Sequence, residues 1–213
     1  MLQNELEQYD YFPSSVYKID KPEFLESVNE VSNAYLEISK INKPDLDEID
    51  FIRMTNHYFN DARIKDFANY VVQTSWNILE AQGYAMQDKS TFFLEMWTQE
   101  YYKSASMDHH THSNNSAQIT AFYFLNEPKD ASKLVFHDPR AAKVITNLRE
   151  QDVNIATSSS IMVNFEPKAG MLILTNNYLP HSFSRHKSDE SLKFVHMTIG
   201  VSETGNNCQA TVI

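Results

Sequence analysis

Hydrophobic positions divide the chain into a helical first part and a strand-rich remainder. Over residues 21–38, Phe24, Val28, Val31, Tyr35 and Ile38 recur at three- and four-residue spacings, which sets them on one stripe of an amphipathic helix. Asp20 reads as its N-cap, with Pro22 in the first turn. A second helix is predicted over roughly 61–82, with Ile64, Phe67, Val71 and Ile78 on one face and a stop near Gly83. The stretch 11–17 ahead of the helices reads as extended. The segment 42–60, where Pro44 precedes Asp45, Asp47, Glu48 and Asp50, reads mostly as a connecting loop.

From about Thr91 the pattern changes to runs of Phe, Tyr, Ile, Val and Thr separated by turn-forming residues. Strands are predicted near 91–102, 117–125, 132–137, 159–165, 170–175, 181–185 and 192–201. Residues 119–125 and 171–174 are apolar on both alternating faces, so those strands must be covered on both sides. The expected fold is mainly β with N-terminal helices: a sandwich or barrel whose helices pack against the outside of one sheet. No repeat or composition break is visible, so a single domain over 1–213 is expected, with 1–90 as helical support and 91–201 as the β core.

Composition narrows the function. With 42% hydrophobic and 12% aromatic residues in 213, the chain has ample material for a core. Four glycines are too few for a phosphate-cradling or dinucleotide fingerprint. Eighteen basic against 28 acidic residues give a net charge of −10, which opposes broad nucleic-acid binding and leaves a small-molecule or protein substrate. A single cysteine, Cys208, can form neither an internal disulfide nor a cysteine-based zinc site, and it fits a reducing, cytoplasmic setting. Apolar runs such as 171–174 fall far short of the roughly 20 residues of a membrane span, and the opening lacks the pattern of a signal peptide.

The chemistry points to histidine. Seven of the eight histidines lie between His109 and His196, and three occupy Met107-Asp-His-His-Thr-His112. On an extended segment side chains alternate, so His110 and His112 share one face and His109 and Thr111 the other. Two imidazoles so placed can grip a metal, and a third ligand from a distant strand would complete an open site. His181, where a strand begins after a turn, is the candidate. The bland alternative is a solvated histidine-rich turn.

The order Trp97, His110-Thr-His112, Ile119–Asn126, Leu134–Arg140, Pro167–Leu174, Leu179-Pro-His181 and Lys193–Thr198 resembles the 2-oxoglutarate/Fe(II) oxygenases of the small phage and marine-bacterial type, relatives of prolyl hydroxylases. The likeness covers roughly 91–201, with a weaker echo in Phe12-Pro-Ser-Ser-Val-Tyr17. It implies a double-stranded β-helix of the jelly-roll type and an enzyme using Fe(II) and 2-oxoglutarate. His110 would be the first ligand, His112 would stand at the usual carboxylate position, and His181 would be the distal ligand. Asp108 and Asp138 remain alternative carboxylate donors. For the far carboxylate of 2-oxoglutarate the resemblance implies Lys193, with Arg185 as competitor, although a lysine lacks the fork of an arginine. Phe124 stands where the family often has a tyrosine, and Tyr123 should point to the opposite face. Two other functions stay open: a three-histidine iron dioxygenase that needs no 2-oxoglutarate, and a non-catalytic metal-binding jelly-roll module.

Other residues read as structural. His137, Arg140, Trp97, Tyr101 and Tyr102 could border a site, but a strand-end role for His137, a surface salt bridge for Arg140 and core roles for the aromatic residues are the simpler account. His196, an odd step from Lys193, should face away from the site. His186 reads as a solvated loop residue, His57 as unrelated, and Asn176-Asn177 as turn chemistry. Ser158–Ser160 lack the Gly-x-Ser-x-Gly context of a serine hydrolase.

Overall fold

The computed structural model describes residues 7, 9–46, 51–112, 116–146 and 148–204. Cys208 and the acidic Asp47, Glu48 and Asp50 lie outside them. The chain opens with strand β1 (Val16–Asp20), a 3-10 turn (Pro22–Phe24), helix α1 (Leu25–Asn42) and a short strand β2 (Ile52–Met54). A second 3-10 turn (Ala62–Ile64) leads into α2 (Lys65–Ala81). Then follow β3 (Lys89–Tyr101), β4 (Met107–His110), β5 (Ala117–Phe124), β6 (Leu134–His137), the short helix α3 (Ala141–Thr146), β7 (Met162–Phe165), β8 (Met171–Asn176), β9 (His181–Phe183) and β10 (Leu192–Glu203).

These strands form a six-stranded sheet, β1-β8-β5-β10-β3-β2, and a four-stranded sheet, β4-β9-β6-β7, with antiparallel neighbours throughout. The result is the expected mainly-β jelly roll with helices on one sheet. Alternation along β5 explains why it is apolar on both faces. Ile119, Ala121 and Tyr123 meet the helices through Val31, Phe67 and Val71. Phe122 and Phe124 turn the other way, into a core with Phe136 and Phe183 of the small sheet. Residues 172–174 of β8 split in the same manner.

Local details depart from the pattern reading for physical reasons. Asp20 is not a cap: it ends β1, its carboxylate pairs with Lys168 at 2.9 Å, and Lys21 precedes the turn without a side-chain cap. The buried side of α1 runs through Val28, Val31, Ser32 and Leu36, leaving Ile38 48% exposed. The stretch expected as a loop contains β2, an edge strand of three residues, too short for alternation to be legible. Gly83 follows α2 with φ of 92°. Gly170 has φ of 82°, and a Cβ there would lie 2.9 Å from the Pro22 backbone, so the turn into β8 admits only glycine. Among the described residues no helix is long and apolar enough to cross a membrane.

Candidate metal centre

The site stands where β4 and β9 pair. His110 and His181 are cross-strand partners, with ring centroids 4.4 Å apart. His112 lies just beyond β4, and Asn177 holds it on both sides. The His112 N–H donates to the Asn177 carbonyl at 3.3 Å, and the Asn177 amide donates to the His112 carbonyl at 2.9 Å. Asn177 therefore does more than turn the chain. Its clamp sets His112 5.0 Å from His110 and 5.1 Å from His181, centroid to centroid. One nitrogen from each of the three rings falls within 4.8 Å of the others.

Hydrogen bonds assign the tautomers of two rings. Nδ1 of His110 lies 2.7 Å from the Asp108 carbonyl, and Nδ1 of His181 lies 3.2 Å from the Leu179 carbonyl. A carbonyl only accepts, so each Nδ1 carries the proton and each Nε2 presents a lone pair. Nε2 of His181 is buried without a partner among the described residues. An orphaned buried nitrogen facing two other imidazoles is the feature a metal ion would satisfy.

Burial keeps the rings of His181, His112 and His196 uncharged, the form in which imidazole ligates. It pushes His181 down to about 3 and His112 to about 4, and it holds His196 well below the ordinary value, with neighbouring histidines acting in the same direction. The rings are neutral when folded and take protons on unfolding once pH drops below 6.5, the ordinary value. Their contribution to stability is complete above pH 6.5 and is lost as pH falls towards about 4. The metal-free chain is expected to show a urea midpoint that declines between pH 7 and 4.5, less steeply in His181→Phe. Equal slopes for the two proteins would refute this origin.

Neither carboxylate alternative joins the cluster. Asp108 is exposed and stands outside the group of converging nitrogens. Asp138 is engaged by Arg140 at 2.9 Å and Lys143 at 3.0 Å, which also accounts for Arg140.

The two basic residues assigned to the co-substrate are not beside the histidines. Residues 192–199 of β10 alternate between the sheet's two faces. Lys193 lies on the helix side, where its Nζ donates to the Asn33 side chain of α1 at 2.9 Å. Arg185 is exposed beyond the end of β9. Lys193→Ala is therefore expected to alter the half-saturating concentration of 2-oxoglutarate by less than about twofold, measured by succinate release.

The same alternation brings in a residue that the sequence reading placed elsewhere. His196 does lie an odd step from Lys193, but Lys193 is the one facing away. His196 pairs with Trp97 on β3 and Phe122 on β5, lies tilted against the Trp97 ring at 4.2 Å between centroids, and sets its Nε2 3.0 Å from Nε2 of His112. Inward parity shared with Phe122 and Phe194 was the signal available. The cavity bounded by the four histidines, Gln99, Tyr101 and their apolar neighbours is about 20 Å³. His186 is corrected as well: it is 1% exposed, accepting from the Ser132 N–H at 3.1 Å and facing the Glu190 carbonyl at 2.8 Å. His137 meets the Ser182 hydroxyl at 2.8 Å and stands 4.7 Å from His109 on the other face of the small sheet. Tyr123 points to the helices as expected and donates to the Lys21 carbonyl at 2.7 Å.

Residues 95–193 match the profile of a family described as "Putative 2OG-Fe(II) oxygenase". No curated protein matches the chain. Solved structures do. One is the viral collagen prolyl hydroxylase of Paramecium Bursaria Chlorella virus-1, in a 2-oxoglutarate complex, at 13% identity over 86% of this chain and 94% of that one, with a TM-score of 0.56. HygX of Streptomyces hygroscopicus, with nickel and 2-oxoglutarate bound, matches at 11% identity over 88% and 82%, TM-score 0.52. A Trichoplax adhaerens prolyl hydroxylase in complex with a hypoxia inducible factor peptide fragment matches at 10% identity over 88% and 84%, TM-score 0.57. At these identities the likeness establishes the jelly-roll fold.

Proposed function

We infer that this chain, whose segment 95–193 matches the 2OG-Fe(II) oxygenase family profile, is an oxidoreductase using Fe(II) and 2-oxoglutarate, with His110, His112 and His181 as its metal ligands. One observation carries the ligand assignment: three imidazole nitrogens converge within 4.8 Å, and that of His181 is buried with no other partner among the described residues. The donor set suits iron, since neutral imidazole is a ligand of borderline metals and three protein ligands leave open positions. When bound, iron and 2-oxoglutarate supply oxygen activation coupled to oxidation of the co-substrate to succinate and CO2.

The chain's own contribution is to hold and dry the site. The Asp108 and Leu179 carbonyls fix two rings, the Asn177 clamp fixes the backbone of His112, and Phe122 stands 5.2 Å from His181, excluding water. A cavity of about 20 Å³ accommodates an ion or a single water. The five-carbon diacid requires the aromatic lining to part. Among the described residues the wall offers it the neutral groups of Gln99 and Tyr101 and no lysine or arginine. That same observation favours a second reading, a three-histidine iron dioxygenase that works without 2-oxoglutarate.

For the substrate, a cleft of about 490 Å³ runs past Tyr11, His137, Arg140 and Met162 and shares Phe136 and Leu179 with the surroundings of His181. Its mixed polar and aromatic wall, and the net charge of −10, support a small molecule or a peptide over nucleic acid, in a cytoplasmic setting consistent with one cysteine.

The test is oxygen consumption by the iron-loaded protein with and without 2-oxoglutarate, alongside succinate release. Uptake that requires 2-oxoglutarate and yields succinate supports the first reading. Uptake without it selects the second, and no uptake combined with tight metal binding selects a metal-binding module.

A further inference from the structure

Nothing in the family match or in the ligand triad gives a role to His196. Its position on β10, between β3 and β5, leaves the imidazole 2% exposed in the middle of the large sheet. Trp97 covers one face at 4.2 Å, and Phe122 meets it edge-on at 5.4 Å. Such a setting suits an apolar side chain. Nδ1 of His196 has no hydrogen-bond partner among the described residues, a penalty that phenylalanine or leucine at this place would avoid. The compensating feature is the other nitrogen, 3.0 Å from Nε2 of His112.

A hydrogen bond between two neutral imidazoles needs one donor and one acceptor. With Nε2 of His112 as the donor in that bond, Nδ1 of His112 is left unprotonated and free to ligate. In His110 and His181 the arrangement is reversed: Nδ1 is held by a carbonyl and Nε2 is free. All three rings would then follow one rule, in which the nitrogen away from the metal is held by a fixed partner. His112 differs only in that its partner is a side chain from the opposite sheet.

We propose that His196 is a positioning residue of the metal centre, accepting the Nε2 proton of His112 and so orienting that ring to ligate through Nδ1. This rests on the three-histidine reading above. The consequence is that the ligand just after β4, on the small sheet, is locked by β10 of the large one, so site geometry depends on how the two sheets pack. His196 also replaces a carboxylate or carbonyl as the orienting group, which makes His112 a weaker donor than a carboxylate-supported histidine.

The experiment compares Co(II) binding, followed by visible absorption and competition, in the parent protein, His196→Phe, His196→Gln and His181→Ala. X-ray absorption counts the imidazoles on bound Co(II). His196→Phe preserves the aromatic packing against Trp97 and is expected to weaken Co(II) binding about 10- to 100-fold, the range typical of lost orienting partners. His196→Gln restores a hydrogen-bonding group and should return affinity to within about threefold of the parent, with three imidazoles counted throughout. Unchanged affinity in His196→Phe overturns the proposal, as does equal weakening in both variants. Loss of one imidazole from the count in either variant also overturns it, because His196 would then itself be a ligand. His181→Ala keeps the two questions apart: if it binds Co(II) like the parent, the triad itself is wrong, whereas its loss alone leaves only the role of His196 in question.

Discussion

Replacing His181 with alanine is expected to abolish stoichiometric Fe(II) or Co(II) binding and to reduce succinate release to background. His181 opens β9 at 1% exposure, facing His110 across the strand pair and His112 5.1 Å away. Loss of an orienting partner in a metal site typically costs about 10- to 100-fold in affinity, so loss of a direct ligand should exceed about 100-fold. The folded state is affected less. The substitution opens a small cavity, but it also removes an imidazole whose Nε2 has no partner among the described residues, and these two effects oppose each other. Circular dichroism should therefore report a folded protein while titration calorimetry reports no binding. Parent-like stoichiometry and affinity in the variant would remove the metal centre as drawn.

The largest loss of stability is expected from Phe67→Ala. Phe67 is 1% exposed on α2 and touches two rings from different parts of the chain, Phe24 at 5.5 Å and Tyr123 of β5 at 4.8 Å. It joins the lead-in to α1, helix α2 and the large sheet in one contact. Truncating a buried phenylalanine costs about 3–5 kcal/mol, from lost transfer energy plus the cavity left behind. For a chain of this size each kcal/mol moves the melting temperature about 2–4 °C, so a fall of roughly 6–20 °C is expected. Ile38→Ala, on the same helical layer but 48% exposed, should lie within about 0.5 kcal/mol of the parent. A urea midpoint for Phe67→Ala that matches Ile38→Ala would show that the helices do not share the core of the sheet.

How far the fold could be read in advance depended on element length together with apolar content. The long helix α2 and the long strands β3, β5 and β10 repeat their period often enough to be recognised, and the doubly apolar residues 119–125 already implied a sheet covered on both sides. Strands β1, β2 and β4 read VYKID, IRM and MDHH, short and each broken by a charged residue, whereas the similarly short β6 and β7 (LVFH and MVNF) are mainly apolar. Asp20 failed as a cap because β1 pairs with β8, and that pairing involves residues some 150 positions away. Such a long-range partner overrides a local preference.

The candidate site divides in the same way. Spacing alone put His110 and His112 on one face, and the turn before His181 marked a strand start, so the identity of the three rings was readable along the chain. The parity of β10 was not. Lys193 and His196 stand an odd step apart in any extended strand, but which of them looks inward is decided by the phase of pairing with β3 and β5, where His196 falls opposite Trp97 and Phe122. A shift of one residue exchanges the faces of every side chain in a strand, so local sequence fixes the alternation and leaves its sign open. Tertiary packing supplied that sign. It sent Lys193 to Asn33 on the helix, brought His196 to His112, and turned an acidic, glycine-poor chain with a recognisable histidine pattern into a site whose third ring is held by a fourth.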